Sequence, residues 1–207
     1  MTLATSDILI KTTGLYKKFG IRNITMSDIS NELGISKKTL YQYIKDKEAL
    51  IEMVLSHEFN ELKESLNIAI KGSNDPILQF IELKHSLVEN LSDQSGVMGY
   101  ELKKYYPEKY ERYFHKYLSL LADAFNQNLS GGIHKGIYRE DLDIDHVIKT
   151  HLVILLNMMN NDISELKDFL SEKYDVEGLR YHLRAIVNKS QLDKIDKYLE
   201  TIKPVVS

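Results

Sequence analysis

The chain has 207 residues, 27 Lys and Arg against 30 Asp and Glu, 43% apolar residues and no cysteine. That length and balance allow a real core in one large or two small domains and exclude collagen-like, disordered and low-complexity classes. The lack of cysteine excludes disulfide scaffolds, thiolate metal sites and Cys nucleophiles, and it suits a reducing cytoplasm.

Apolar residues recur at three- and four-residue steps almost throughout, which predicts helices and no sheet. Residues 6–19 place Ile8, Leu15, Tyr16 and Phe19 on one face, with Gly20 as the stop. Thr25 stands before Met26, Ile29 and Leu33, with Asp28 three positions on, the spacing of a capping box. Gly34 ends that helix, Ser36 caps the next, and Asp46 caps a long one running to about Ile70. Gly72 to Pro76 is turn chemistry, and a helix follows through Leu91. Pro107 opens another, carrying Tyr110, Phe114, Leu121 and Leu129, and Ser130 to Gly136 reads as a loop. Helices are then expected over 143–160, 176–188 and about 192–202. The longest apolar run, Leu152 to Leu156, is far short of the roughly 20 residues that span a bilayer, and the N-terminus lacks a basic-then-apolar signal. The expectation is a cytoplasmic all-α chain of about nine or ten helices, without a membrane partner.

Charge is unevenly placed. Residues 1–50 hold eight basic and five acidic side chains, while the remainder is net acidic. A solvated helix surface produces such an excess, and so does a polyanion-binding head. The pair of short helices at 26–33 and 36–43, joined at Gly34, forms a helix-turn-helix pattern whose second member reads Ser36-Lys37-Lys38-Thr39-Leu40-Tyr41-Gln42-Tyr43. Only Leu40 is plainly apolar there. Cations, hydroxyls, an amide and phenols are the groups that grip phosphates and read base edges in a major groove.

The run from Thr25 to Leu50 resembles the DNA-binding domain of the TetR family of bacterial regulators, and Gly136 to Asp143 is more loosely similar to the entry to that family's dimerisation helices. The resemblance implies an N-terminal three-helix helix-turn-helix domain, here 1–48, and a C-terminal helical domain for effector binding and dimerisation, here 49–207. It implies a homodimer on a palindromic double-stranded operator, released when a small apolar or aromatic effector binds. It further implies that Thr25 caps and contacts phosphate, that Ser36, Lys37, Lys38, Thr39 and Gln42 approach bases or backbone, and that Tyr41, Tyr43 and Lys47 bind phosphates. Two positions depart from the family pattern: Lys38 where Gly is frequent, and Ile44 where Phe is.

The rest is less legible. Tyr106, Tyr110, Phe114, His151 and Met158 are candidate effector contacts by resemblance, although aromatics at helical spacing also serve as core. Ile148, Leu152, Leu155, Met159, Leu179, Leu183 and Ile186 are candidate dimer contacts, because the 143–160 segment is apolar nearly all round. The seven histidines include no pair at three- or four-residue helical spacing, and the chain has no Gly-rich phosphate loop and no G-x-S-x-G elbow. No cofactor, metal or enzymatic activity is expected. The alternatives are an activator or ligand-independent regulator of the same fold, and a helical small-molecule carrier that no longer binds DNA.

Overall fold

A computed structural model describes residues 5–92, 96–159 and 172–201, with side chains described except at 88–92, 155–159, 172–175 and 201. The described residues form ten α-helices: α1 (Thr5–Phe19), α2 (Met26–Glu32), α3 (Lys37–Tyr43), α4 (Lys47–Lys71), α5 (Pro76–Ser92), α6 (Val97–Tyr105), α7 (Pro107–His134), α8 (Ile144–Met159), α9 (Glu172–Ile186) and α10 (Leu192–Thr201). No strand occurs among them. The nearest approach to one is an isolated antiparallel bridge, Tyr138 to Val187.

The chain divides into two compact units. One comprises residues 1–63 with 90–117, the other residues 64–89 with 118–207. In the first unit, Ile8 and Tyr16 of α1, Ile29 of α2, Leu40 of α3, and Leu50, Ile51 and Val54 of α4 form one buried cluster, to which α6 adds Met98 and Leu102. The single apolar side chain of α3, Leu40, is fully buried in it, so the polar remainder of that helix faces outward. Ile44 is buried in the same cluster.

The second unit has its own core, built on Phe80 and Phe125, whose rings stand 5.1 Å apart. Beside it lies a buried polar knot. The Tyr138 hydroxyl donates to the Pro76 carbonyl at 2.7 Å and lies 3.0 Å from Asn128 Oδ1, while Asn128 Nδ2 donates to the same carbonyl at 2.9 Å. The Pro76 carbonyl thus has two partners in an apolar setting, where an unmade bond would cost about 1–3 kcal/mol.

Two elements differ from the sequence expectation. The stretch expected as a loop from Ser130 is helical through His134, and Gly132 within it serves close packing and not a turn. A Cβ on Gly132 would lie 2.1 Å from the Tyr138 ring, so that ring occupies the space a side chain would take. The second difference is α6, in the interval between Leu91 and Pro107 where the sequence pattern predicts no helix. It has nine residues, two consecutive lysines and only Met98 and Leu102 as aliphatic anchors, too little to register as an apolar stripe.

Candidate functional site

The helix-turn-helix is assembled by its own caps. Thr25 accepts the Asp28 N–H, and the Asp28 carboxylate accepts both the Thr25 N–H at 2.8 Å and its hydroxyl at 2.7 Å, a complete capping box. These bonds from Thr25 hold the Asp28 carboxyl below its ordinary range. At the far end of α2, Gly34 has φ +67, which an L side chain resists, and the Ile35 N–H reaches back to the Ser30 carbonyl at 3.0 Å. Ser36 then starts α3 by accepting the Thr39 N–H at 3.0 Å, and its hydroxyl meets that of Thr39 at 2.8 Å. The turn is therefore fixed by backbone geometry on one side and a side-chain cap on the other.

On this frame Lys37, Lys38, Tyr41 and Gln42 are exposed along α3, with half of the Tyr41 surface accessible. Tyr43, at the last position of α3, is 38% exposed, and Thr39 is half-buried. Ser36 and Thr25 are exposed at the two caps. The hydroxyls of Thr25, Ser36 and Thr39 are thus held in cap bonds, whereas Lys37, Lys38, Tyr41, Gln42 and Tyr43 project from the helix surface.

Lys47 is placed differently from an open surface cation. From the first turn of α4 its ammonium donates to the carbonyls of Ile24 and, more distantly at 3.4 Å, Arg22. Partial burial pulls its pKa down, opposed by the carboxylates of Glu101 and Asp28. The same loop is gripped from α6. The Arg22 N–H donates to Glu101 Oε2 at 2.8 Å, and the Arg22 guanidinium lies 4.3 Å over the Tyr105 ring. Lys11 of α1 adds a bond to the Glu32 carbonyl at 3.0 Å, at the C-terminal end of α2. Arg22, Glu101 and Tyr105 are absent from the sequence expectation. Nothing in the spacing of a polar loop and a short helix 79 residues apart signals their meeting.

The candidate effector residues fall in different places. Tyr106 and Tyr110 pack against the core of the first unit, and Tyr110 stacks on Phe114 at 5.5 Å. His151 lies in the second unit, 4.6 Å from the Phe125 ring and 4.9 Å from the His182 ring. It borders a cavity of about 450 Å³ that Lys84, Arg139, His146 and His182 also line. The side chain of Met158 lies outside the described residues. Among the candidate dimer residues, Ile148, Leu179, Leu183 and Ile186 are buried within the chain itself, and Leu152 is half-buried. The side chains of Leu155 and Met159 lie outside the described residues. Among the described side chains of α8 and α9, the exposed large apolar ones are a different set, Val153, Ile154 and Tyr181.

Among the described residues, no group of three His, Asp or Glu is arranged to hold a metal ion, and no helix is long and apolar enough to cross a membrane.

Residues 8–54 match the family model described as bacterial regulatory proteins, tetR family. The HTH-type transcriptional regulator YerO of Bacillus subtilis is 27% identical, over 95% of this chain and 75% of its own length. YfiR, a second HTH-type transcriptional regulator of Bacillus subtilis, is 23% identical over 84% of this chain and 85% of its own. The fold is shared with a TetR transcription regulator from Haloarcula marismortui, with a TM-score of 0.71 and 20% identity over 89% of this chain and 98% of that one. A matched head of capped helices, an outward polar α3 and a helical remainder lead to one conclusion: residues 8–54 carry a DNA-binding domain of the tetR type, on a chain that is similar to HTH-type transcriptional regulators and shares the fold of TetR proteins.

Proposed function

We propose that the protein is a cytoplasmic homodimeric repressor that binds a palindromic operator through residues 1–48 and is released when a small molecule binds within 49–207. The observation that carries this reading is the polar surface of α3. A seven-residue helix with one buried side chain gains little stability by itself, and it presents Lys37, Lys38, Tyr41 and Gln42 on a frame fixed at both ends. Gln42 and the two lysines are suited to base edges, while Tyr41 and Tyr43 are suited to phosphates on either side. Thr25 and Ser36 act as caps, and their hydroxyls and that of Thr39 retain lone pairs, or a proton, for the DNA backbone. Lys47 carries three N–H groups and engages two carbonyls, which leaves one for a phosphate at the N-terminus of α4.

Two-fold symmetry supplies the reach. Two recognition helices about 34–36 Å apart match successive major grooves, and a ligand that favours another separation loosens the grip. The exposed Val153, Ile154 and Tyr181 on α8 and α9 support association of two copies by that face.

The test is selection of duplexes from a random library by the full-length protein, followed by salt titration on the enriched sequence. The expected result is an inverted repeat whose binding falls steeply with salt. Lys47→Ala should reduce the salt slope by about one and weaken all duplexes alike, whereas Gln42→Ala should relax preference at one base position. Enrichment of no symmetric sequence, or variants indistinguishable from wild type, overturns the assignment.

A further inference from the structure

The first unit has a second polar surface, which the helix-turn-helix does not account for. On α6, Tyr100, Lys103 and Lys104 stand at positions i, i+3 and i+4 and share one exposed face. Tyr100 is 59% and the neighbouring Tyr105 41% exposed. Their rings are organised by cations. The Lys104 ammonium donates to the Tyr100 hydroxyl at 2.9 Å and lies 5.3 Å from the centroids of both the Tyr100 and the Tyr105 rings. The guanidinium of Arg22, an exposed residue between α1 and α2, covers Tyr105 at 4.3 Å.

The charge on this surface is positive and unopposed. Among the described residues, no carboxylate forms a salt bridge with Arg22, Lys103 or Lys104. Glu101, the acid of the same helix, is 9% exposed and is engaged by the loop backbone, where it accepts the Arg22 N–H. A cation held over an aromatic face keeps its charge and gives up rotamer freedom before any ligand arrives. The same contacts cover ring faces that would otherwise serve as stacking platforms for unpaired bases. What the surface offers is three positive groups and the Tyr100 hydroxyl proton, a set complementary to successive phosphates of a duplex.

Position decides which phosphates these are. The Arg22 carbonyl lies 3.4 Å from the Lys47 ammonium, and Arg22 stands three residues before the Thr25 cap. The surface therefore continues from the edge of the head on which Lys47 and Thr25 are read as phosphate contacts. We propose that Arg22, Lys103 and Lys104, ordered by Tyr100 and Tyr105, bind the phosphate backbone of duplex DNA flanking the bases that α3 faces. This assignment rests on the DNA-binding reading above and extends its footprint from the helix-turn-helix to α6.

The test compares the full-length protein with Lys103→Gln/Lys104→Gln on the duplex enriched by selection. That duplex is used trimmed to its enriched bases and extended by about one helical turn at each end. Wild type should gain about tenfold in affinity from the extension, and the Gln variant should lose that gain, with its salt slope reduced by about one for each lysine removed. Base preference should be unchanged. Lys103→Arg/Lys104→Arg should restore the gain, and Lys63→Gln/Lys71→Gln, an equal loss of charge at exposed positions late in α4, should leave it intact. No gain from extension, a gain that survives in the Lys103/Lys104 Gln variant, or an equal loss in the Lys63/Lys71 variant overturns the proposal while leaving the helix-turn-helix reading in place. Failure of the wild type to bind any duplex overturns both. Retention on phosphatidylglycerol vesicles that the Lys103/Lys104 Gln variant loses, with duplex binding unchanged, assigns the surface to a membrane and likewise overturns the proposal.

Discussion

At the scale of single residues, the head is organised by short polar side chains whose bonds are local and whose charges are few. Thr25 and Asp28 satisfy each other's termini; Thr25→Val should remove the half of the box that the hydroxyl makes, leaving the Thr25 N–H on the Asp28 carboxylate, and cost about 1 kcal/mol in urea denaturation. In the proposed reading Lys47 combines a structural contact with a phosphate contact. Because its ammonium anchors the Arg22–Ile24 loop, Lys47→Ala should lower both duplex affinity and thermal stability, whereas Lys37→Ala should lower affinity alone. A thermal scan beside the anisotropy titration distinguishes them. In the other unit Gly132 is fixed by contact: with the Tyr138 ring where a Cβ would stand, Gly132→Ala must displace the Tyr138–Asn128–Pro76 knot. An overpacking cost of about 1–3 kcal/mol is expected, read as a lower urea midpoint.

At the scale of elements, α3 and the α8–α9 pair work in opposite ways. The first is short, polar and held by its flanks, and its sequence announces it because cap, turn and polar face lie within ten consecutive residues. The second pair buries two imidazoles. Burial and the Lys84 charge push the His182 pKa down to about 4 and hold that of His151 well below its ordinary value. A histidine whose folded pKa is depressed resists protonation in the native state but not in the unfolded chain. The stability it permits is therefore complete above about pH 6.5 and is lost as pH falls from there towards 4, at about 1.4 kcal/mol per pH unit for each such group. Urea midpoints should drop between pH 7 and pH 5, and His182→Asn should flatten that dependence. A short helix such as α6 shows the converse of α3. Its contribution, Glu101 and Tyr105 clasping the loop at Arg22, depends on a partner far away in sequence and leaves no local pattern.

At the scale of the whole molecule, both compact units are discontinuous in sequence, and α4 continues unbroken from Lys47 to Lys71 across residue 48, the boundary expected between head and body. Which apolar residues remain available to a second copy is likewise a property of the folded chain. Ile148, Leu179, Leu183 and Ile186 are enclosed by their own unit, while Tyr181 is 81% exposed. Tyr181→Glu should shift the sedimenting species from two chains towards one and weaken operator binding, with the fold retained by circular dichroism. A dimer of undiminished strength would place the contact elsewhere. The sequence by itself determined the helical class, the helix-turn-helix and the side chains of its outer surface, because caps, turns and 3.6-residue periodicity are interactions among near neighbours. Only the tertiary structure decided that Lys47 and Glu101 meet at one loop, that Gly132 admits a tyrosine ring, and that His151, His182 and Lys84 line one cavity. Those contacts join residues separated by up to 98 positions, and which apolar stripe meets which is settled by the packing of whole helices against one another.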